Sequence, residues 1–284
     1  MDDSHILITG ANGQLGHALG DMYPKARATD SKELDISDSS AVKEFDWDKV
    51  TTIINAAAYT NVDEAESLDG RKTAWSVNAT GTANLVRLAL ERNLLIVHFS
   101  TDYVFDGTND NHSEDEPFSP LSSYGASKAA GDAVLSLLPK HYLLRTSWVI
   151  GEGKNFVKTM LEVGKKGISP KVVSDQVGRL TFVDELVRAI DHLLSISPAY
   201  GTYNLSNGGD PASWAEITRQ IFKAAGLNLQ VTDITSKEYS KDKPEAAPRP
   251  LLSTLNLSKI EQTGFTPADW HQALEEYVKK ESEK

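Results

Sequence analysis

A tyrosine and a lysine four residues apart form the pair in this sequence best suited to acid–base chemistry. Tyr124 and Lys128 stand at the two ends of the run Tyr-Gly-Ala-Ser-Lys, and this spacing places both side chains on one face of a helix. A lysine ammonium favours a nearby phenolate, so we expect Lys128 to lower the pKa of Tyr124 from its ordinary value of about 10. The pair could then pass a proton to a carbonyl oxygen.

A segment rich in hydroxyl groups precedes this pair. Residues 94–98 form an apolar run typical of a buried strand, and Phe99, Ser100, Thr101 and Asp102 follow it directly. Side chains at the carboxyl end of such a strand face the crevice in which open α/β sheets bind ligands. We therefore expect a hydroxyl of this segment to lie in the same crevice as the tyrosine and lysine.

A glycine-rich turn near the amino terminus predicts a phosphate-binding site. Gly10, Gly13 and Gly16 form a Gly-x-x-Gly-x-x-Gly pattern between a predicted strand and a predicted helix. Gly10 permits the tight turn, Gly13 lets the backbone approach a pyrophosphate, and Gly16 lets the helix pack against the strand. Dinucleotide binding is the favoured interpretation because of this context, and a purely structural turn is the alternative.

The charged residues around position 30 leave the choice of dinucleotide open. Asp30 lies 20 positions beyond Gly10, where a carboxylate could bind the adenosine ribose of NAD. Arg27 and Lys32 could instead meet the 2′-phosphate of NADP, and either could equally be a solvated loop charge. Asp35-Ile36 and residues 55–59 are expected at strand ends, where the small side chains of the latter would pass close beneath a cofactor.

The elements that must position these residues alternate between strands and helices. Short apolar or β-branched runs at 6–9, 52–55, 94–100 and 142–145 predict parallel strands, and 73–92 and 124–138 have helical spacing. We therefore predict an α/β fold with a Rossmann-like, doubly wound parallel sheet.

Beyond residue 150 the alternation loosens, which predicts a second, smaller domain. Residues 1–150 are assigned to the dinucleotide-binding domain and 151–284 mainly to a substrate domain. The two are interleaved, because segments near 171–206 partly return to the first through a helix at 183–194 and a strand at 201–205. The stretch from Pro244 to Pro250 is too rich in proline for regular helix or central strand.

Composition excludes several classes of protein. The 284 residues contain no cysteine, so disulfides and thiolate chemistry are excluded, and we expect a cytoplasmic protein. We find no signal peptide and no apolar run long enough to span a membrane. With 40 acidic and 29 basic residues the net charge is −11, which disfavours nucleic acid and membrane surfaces as partners. No histidine or carboxylate spacing predicts a metal site.

Seven longer runs resemble the extended short-chain dehydrogenase/reductase superfamily and, within it, the dTDP-4-dehydrorhamnose reductase family. The resemblance covers essentially the whole chain, and its runs are residues 10–16, 55–66, 100–107, 145–149, 155–160, 175–178 and 249–253. The chain departs from the family pattern within the second run and directly after the sixth. The family often has Pro-Thr after its Asp-Gln-x-Gly run, where this chain has Arg179-Leu180-Thr181, and Asn61 stands where the family often has alanine.

The resemblance implies an NADPH-dependent reductase that converts the 4-keto group of dTDP-4-dehydro-L-rhamnose, with NADH as a possible second cofactor and a possible homodimer. Catalysis would use Thr101, Tyr124 and Lys128. The implied cofactor residues are Gly10, Asn12, Gly13, Gln14, Leu15, Gly16, Asp30, Asp35, Ile36, Ala57, Ala58, Tyr59, Phe99, Ser100, Tyr124 and Lys128. The implied contacts to the nucleotide sugar are Thr101, Asp102, Val104, Trp148, Asn155, Gln176 and Arg249.

Several of these residues have a plainer alternative. Trp148 could be a core aromatic, and Arg249 could be an exposed loop arginine and not a diphosphate ligand. His98 lies within an apolar run and is expected to be a core histidine and not a base. The carboxylates at 63–66 and 114–116 could collect a cation, but a solvated surface is the favoured interpretation.

Two other functions are compatible with the superfamily. A non-catalytic nucleotide-binding subunit, similar to the partner of methionine adenosyltransferase, would keep the fold, but the intact Thr101, Tyr124 and Lys128 argue against it. An epimerase or dehydratase of nucleotide sugars would retain NAD. Dehydratases usually carry further acidic residues after the threonine, and here only Asp102 follows.

Overall fold

The computed structural model describes residues 2–241, 243 and 245–283. Its strands are β1 Ile6–Thr9, β2 Arg27–Thr29, β3 Thr52–Asn55, β4 Leu95–Thr101, β5 His141–Thr146, β6 Val149–Ile150, β7 Lys171–Val173, β8 Val177–Gly178, β9 Thr181–Phe182, β10 Gly201–Asn204, β11 Ala212–Ser213 and β12 Thr232–Ile234. Its α-helices are α1 Gln14–Met22, α2 Ser39–Glu44, α3 Leu68–Ala74, α4 Thr82–Arg92, α5 Ser123–Leu135, α6 Phe156–Lys165, α7 Val183–Ile196, α8 Trp214–Ala224, α9 Ser236–Lys241, α10 Ser258–Glu261 and α11 Trp270–Ser282.

Six of the strands form one parallel sheet in the order β2-β1-β3-β4-β5-β10. The chain moves outward from β1 to β2 and then returns to the other side of β1 to form β3, so the strand order reverses between β1 and β3. In open α/β sheets, such a reversal leaves a ligand-binding crevice beyond the carboxyl ends of the strands. The prediction of a doubly wound parallel sheet is confirmed.

Alternate residues of the sheet enter two different cores, as the period of two of a β-strand requires. One core joins the sheet to α1, α7 and α10 through Ile6, Ile8, Ile54, Val97, Leu144, Leu19, Leu186, Ile190 and Ile260. The other joins it to α2, α4 and α5 through Leu7, Ile53, Ile96, Leu143, Val42, Leu85, Leu88 and Leu135. Both faces of the sheet are therefore covered, which explains the continuous apolar runs in its strands.

The later part of the chain contributes to the sheet and also builds a third core. α7 packs against the main sheet and β10 extends it beside β5. A separate apolar cluster brings together α6, α8 and α11, with Trp270 and Phe222 fully buried. Three short strand pairs, β6 with β9, β7 with β12 and β8 with β11, accompany it. The division of the chain into two domains stays a prediction.

The helix predicted at 73–92 is longer and less regular than the pattern indicated. It begins at Leu68, because the Ser67 hydroxyl caps it by accepting a hydrogen bond from the Gly70 N–H at 3.0 Å. A π-helical segment, Trp75–Gly81, separates α3 from α4. The π-helical segment contains Asn78, whose contacts are described below.

Two other expectations concern loops. Asp35 and Ile36 lie in the loop between β2 and α2, so the expectation that they end a strand is wrong. Residues 245–250 form turns and irregular chain, as the prolines predict, while Pro244 lies outside the described residues. In the part of the chain that the structure describes, no helix is long and apolar enough to cross a membrane.

Candidate active site

The glycine-rich turn joins β1 to α1 directly at the reversal of strand order. Gly10 has a φ of +72°, and a β-carbon there would lie 2.6 Å from the backbone nitrogen of Ala57 at the end of β3. A side chain at Gly16 would collide with the carbonyl of Gly10. Both glycines are therefore required by the fold itself.

Gly13 differs from these two glycines because the fold does not require it. It has a φ of −82°, and the nearest atom to an added β-carbon is the Gly10 carbonyl oxygen at 3.3 Å. Gly13 is exposed and stands at the N-cap of α1, with Gln14 and Leu15 in the first helical turn. Unpaired backbone N–H groups at a helix start attract phosphate, so an exposed glycine here leaves room for an anion.

Asp30 lies at the carboxyl end of β2, next to this turn. Its carboxylate accepts hydrogen bonds from the side chain of Asn12 at 2.7 Å and from the N–H of Lys32 at 2.8 Å. The N–H of Lys32, with those of Glu33 and Asn12, lowers the pKa of this carboxyl. An ionised carboxylate therefore stands beside the glycine-rich turn.

Arg27 does not reach that position. It begins β2, donates a hydrogen bond to the carbonyl of Asp46 at 2.9 Å, and stacks over the ring of Phe45 at 4.1 Å. The suggestion that Arg27 could meet a 2′-phosphate is wrong for this geometry, because its guanidinium is bound to the carbonyl of Asp46 at the amino end of β2. Lys32 is exposed at the correct end.

The loop after β3 is held by Asn78 in the π-helical segment. The side chain of Asn78 accepts a hydrogen bond from the N–H of Tyr59 at 2.9 Å and donates to the carbonyl of Tyr59 at 3.1 Å. It also donates to the Ser127 hydroxyl at 2.9 Å. Ala57, Ala58 and Tyr59 are thereby fixed next to Gly10 and linked to helix α5.

Thr101, Asp102 and Tyr124 meet at the carboxyl end of β4. The Thr101 hydroxyl donates to the carboxylate of Asp102 at 3.0 Å, and the side chains of Thr101 and Tyr124 lie next to each other. Burial raises the pKa of Asp102 to about 6. The structure therefore brings together the hydroxyl and the phenol that the sequence placed in one crevice.

Lys128 lies one helical turn beyond Tyr124 and is only 2% exposed. Its Nζ donates to the carbonyl of Phe99 at 2.5 Å and lies 3.3 Å from His98 Nε2. Burial lowers the pKa of Lys128 to about 8, against the opposing charge of Asp132. This lysine can therefore change its charge close to neutral pH.

The pKa of Tyr124 moves in the direction opposite to the one expected from the sequence. Burial raises it above its ordinary value of 10, and the charge of Asp102 adds to the rise. The expected lowering by Lys128 is wrong for this arrangement, because burial and the acidic neighbour Asp102 both raise the pKa. A raised pKa keeps the phenol protonated, which is the form that can donate a proton.

The start of α5 is anchored by residues that the sequence analysis did not select. Ser122 caps the helix through the N–H of Gly125 at 3.0 Å, and Glu66 accepts from the N–H and the hydroxyl of Ser123 at 2.7 and 3.1 Å. Ser127 donates to the carbonyl of Tyr124 at 2.7 Å. Glu66 is distant in sequence, so no local pattern could have indicated that it fixes the residue next to Tyr124.

Trp148 is half-buried in an aromatic stack. Its ring lies 3.7 Å from that of Trp214, nearly parallel to it, and its backbone has a φ of +47°. A β-carbon at Gly178 would lie 3.1 Å from the Trp148 ring. The ring is therefore packed against the third core but is not fully buried, and its contact with a sugar stays a prediction.

Arg249 approaches the site from the late proline-rich loop. It pairs with Asp63 at 2.7 Å, and its side chain reaches Tyr103, whose ring packs edge-on against Tyr124 at 5.8 Å. The guanidinium is therefore close to the catalytic tyrosine candidate, with a carboxylate already bound to it.

Four residues with implied ligand contacts have other roles in the structure. Val104 is fully buried against Ala129 and Leu255, and Ile36 is buried under α4. The amide of Asn155 bonds with the N–H of Lys158, the carbonyl of Gly151 and the hydroxyl of Tyr277. Core packing or capping therefore involves these three side chains, and their contacts with a ligand stay predictions. Gln176 donates to the hydroxyl of Ser236 at 2.9 Å, away from Tyr124's contacts.

The remaining implied residues Ser100 and Asp35 have simple placements. Ser100 is buried near the end of β4, and the carboxylate of Asp35 accepts from the N–H and hydroxyl of Ser37 at 2.9 and 2.7 Å. Among the described residues, no group of three or more histidine or carboxylate side chains is arranged to hold a metal ion.

The carboxylate clusters are structural, which neither sequence interpretation anticipated. Glu66 caps α5, as described above. Glu114 accepts from the N–H of Asn204 at 3.0 Å, and Glu116 pairs with His112 at 2.9 Å. Glu66 and Glu114 therefore fix distant segments to a helix and a strand, whereas Glu116 pairs within its own loop.

Comparison with known proteins gives consistent similarities over the whole chain. The family model described as RmlD substrate binding domain matches residues 4–283. A dTDP-4-dehydrorhamnose reductase of Aggregatibacter actinomycetemcomitans is 39% identical, with 95% of this chain and 97% of that protein covered. The spore coat polysaccharide biosynthesis protein SpsK of Bacillus subtilis strain 168 is 36% identical, with 98% of each covered.

A solved structure agrees with these sequence matches. The crystal structure of dTDP-4-dehydrorhamnose reductase from Bacillus anthracis in complex with NADP has a TM-score of 0.88 and 35% sequence identity, and the match covers 97% of this chain and 98% of that one. Because the family model spans nearly all of the sequence and relatives above 30% identity cover it end to end, the chain belongs to the RmlD substrate binding domain family.

Proposed function

We propose that this protein is an NADPH-dependent oxidoreductase that reduces the 4-keto group of dTDP-4-dehydro-L-rhamnose to give dTDP-L-rhamnose. The observation that carries the proposal is the meeting of Thr101, Tyr124 and Lys128 at the carboxyl edge of the sheet, on the same edge as the glycine-rich turn. The relatives named as dTDP-4-dehydrorhamnose reductases supply the substrate class.

The residues at the turn fit a dinucleotide. Gly13 is exposed at the N-terminus of α1, and a β-carbon there would lie 3.3 Å from the Gly10 carbonyl oxygen, so glycine keeps the backbone at the helix start accessible to a phosphate. Gly13, Gln14 and Leu15 would hold the diphosphate, Asp30 and Lys32 would lie at the adenosine ribose, and Lys128 would hold the nicotinamide ribose. When bound, NADPH supplies the hydride that reduces the keto carbon.

The preference between NADPH and NADH follows from opposing charges at one position. The ionised carboxylate of Asp30 would repel a 2′-phosphate, whereas the ammonium of Lys32 would attract it. Arg27 donates to the carbonyl of Asp46, so Lys32 is left as the cation beside the Asp30 carboxylate at this end of β2. We therefore expect NADH to support turnover as well, with NADPH as the main cofactor.

Tyr124 is the proposed proton donor. Its raised pKa keeps the phenol protonated at neutral pH, so the O–H bond can break and deliver the proton to the oxygen of the reduced carbonyl. Thr101, next to Tyr124, would orient that oxygen. Lys128, one turn along α5, would hold the nicotinamide ribose, and its ammonium form would stabilise the phenolate that remains.

Recognition of the sugar nucleotide is assigned to three side chains around the phenol. Asp102 would bind a sugar hydroxyl next to Thr101, and the open face of Trp148 would pack on the deoxysugar ring. Arg249 would exchange its contact with Asp63 for the diphosphate, since a guanidinium binds carboxylate and phosphate with the same geometry.

The direct test is an assay of NADPH oxidation by the purified protein with dTDP-4-dehydro-L-rhamnose, with the product identified by mass spectrometry and NMR. We expect stoichiometric formation of dTDP-L-rhamnose. The same assay with a UDP-linked 4-keto sugar measures how far the nucleotide base matters. Tight NADPH binding without turnover of any 4-keto sugar would contradict the proposal and favour a non-catalytic nucleotide-binding subunit.

A further inference from the structure

A buried chain of polar side chains runs behind Lys128 from one strand to the next. The Thr9 hydroxyl donates to Asn55 Oδ1 at 2.6 Å, Asn55 Nδ2 lies 2.8 Å from His98 Nδ1, and His98 Nε2 lies 3.3 Å from Lys128 Nζ. The four side chains come from β1, β3, β4 and α5, and each is at most 2% exposed. The positions of the hydrogens on each side chain therefore depend on the side chains next to it.

The orientation of the Asn55 amide is determined by a backbone group. The N–H of Ala57 can only donate, and it points to Asn55 Oδ1 at 3.3 Å. The oxygen of the amide must therefore face Ala57 and the Thr9 hydroxyl. The NH₂ group is left to face His98 Nδ1.

The orientation of Asn55 in turn determines the tautomer of His98. Because Asn55 Nδ2 donates to it, His98 Nδ1 must be the unprotonated nitrogen of the ring. Burial is the main cause that lowers the pKa of His98 well below its ordinary value, so the ring is neutral. Its single proton is therefore on Nε2, the nitrogen that faces Lys128.

This arrangement distinguishes between the two forms of Lys128. The carbonyl of Phe99 accepts one N–H from Nζ in either form. A neutral amine also has a lone pair that can accept the His98 Nε2–H, whereas an ammonium has only further N–H groups to present to it. The ring thus favours the amine.

We propose that His98 is a positioning residue of the active site, which acts through Lys128: held by Asn55 in the Nε2–H tautomer, it holds the lysine in place and favours its uncharged form. The histidine makes Lys128 a group that exchanges its proton near neutral pH. His98 was expected from the sequence to be only a core residue.

Two other titratable groups, His141 and Asp132, affect the pKa values of His98 and Lys128. His141, from the neighbouring strand β5, lowers the pKa of His98 further. Asp132, on the same helix as Lys128, favours the ammonium, but it is also paired with Arg145 at 3.1 Å. Of these groups, only His98 makes a direct contact with Nζ and can be removed without breaking a buried ion pair.

The inference rests on the proposed function only because that function gives Lys128 a role in the active site. The titration of Lys128 is therefore measured in the protein without ligands. Lysine labelled with ¹³C at Cε is incorporated, the Lys128 signal is identified by its loss in Lys128→Met, and its titration is followed by NMR. Ring ¹⁵N shifts of the parent protein report the tautomer of His98 directly.

His98→Asn is the main variant, because its shorter amide can still accept from Asn55 but removes the N–H that faces Lys128. His141→Asn is the matched control, since it shortens another buried histidine one strand away. We expect the pKa of Lys128 to rise by about one pH unit or more in His98→Asn and to stay at the parent value in His141→Asn.

Three results would overturn the inference. An unchanged Lys128 titration in His98→Asn, an equal rise in both variants, or a ring proton found on Nδ1 in the parent would each contradict it. If His98→Asn does not fold, His98→Leu is titrated in its place with the same expectation. Since no substrate is involved, failure of the assay for sugar reduction would leave this result unaffected.

Discussion

The buried carboxyl of Asp102 makes the stability of this protein depend on pH in a defined way. Its pKa is raised by burial from the ordinary value of 3.8 to about 6, so the folded protein binds this proton more tightly than the unfolded chain does. The contribution of Asp102 to the free energy of unfolding is therefore fully present below the pKa of this carboxyl in the unfolded chain and is lost as the pH rises through about 6. At neutral pH the ionised carboxylate destabilises the fold.

The magnitude follows from the size of the pKa change. A rise from 3.8 to about 6 corresponds to about 3 kcal/mol at about 1.36 kcal/mol per pH unit, and about half of this is lost between about pH 5 and pH 7.5. Asp102→Asn removes the titration but keeps an oxygen to accept from Thr101. The free energy of unfolding of the variant relative to the parent should therefore rise by about 1.5 kcal/mol over this range.

Urea unfolding followed by tryptophan fluorescence at several pH values measures this difference. Asp106→Asn is the control, because Asp106 lies four residues further on and its pKa is lowered by hydrogen bonds from Thr108. The stabilisation that Asp106 provides is complete above the pKa of this group in the unfolded chain. The difference in the free energy of unfolding between Asp106→Asn and the parent should therefore be constant from about pH 5 upward. A difference between Asp102→Asn and the parent that does not change with pH would refute the reasoning.

Three further substitutions test the site separately. Gly13→Val should abolish NADPH binding in calorimetry while the thermal midpoint stays near that of the parent, because the negative φ of Gly13 accepts a side chain; binding at the parent affinity would be evidence against the phosphate site. Trp148→Ala should raise KM for the sugar nucleotide more than it weakens NADPH binding, and equal losses would favour a purely structural ring. Glu66→Ala should lower the free energy of unfolding by about 1–2 kcal/mol, the usual cost of a lost helix cap, whereas the exposed neighbour Glu64→Ala should cost less; equal costs would argue against the cap.

The sequence predicted the elements that have a strong local signal. The parallel strands were evident because both faces of the sheet are covered and their residues are continuously apolar. The glycine-rich turn was evident in the sequence because the fold allows no side chain at Gly10 or Gly16, so both positions must be glycine. A spacing of four along one helix was sufficient to place Tyr124 and Lys128 together.

The features that were missed depend on contacts between distant segments. The cap from Glu66 to Ser123 and the link from Asn78 to Ser127 join residues about fifty positions apart in sequence, and no periodic pattern reports them. The pKa of Tyr124 was predicted in the wrong direction, because spacing shows that a lysine is near but not how deeply the phenol is buried. The homodimer and the cytoplasmic location stay predictions.

The measurement that tests the proposed chemistry most directly is the turnover of Tyr124→Phe compared with the parent. The substitution removes one oxygen and its proton from a residue held in place by α5, so NADPH binding and the thermal midpoint should change little. With dTDP-4-dehydro-L-rhamnose as substrate, kcat should fall by about 10² or more, the usual scale of general acid catalysis. Turnover at the parent rate, under conditions in which product release does not limit it, would contradict the account.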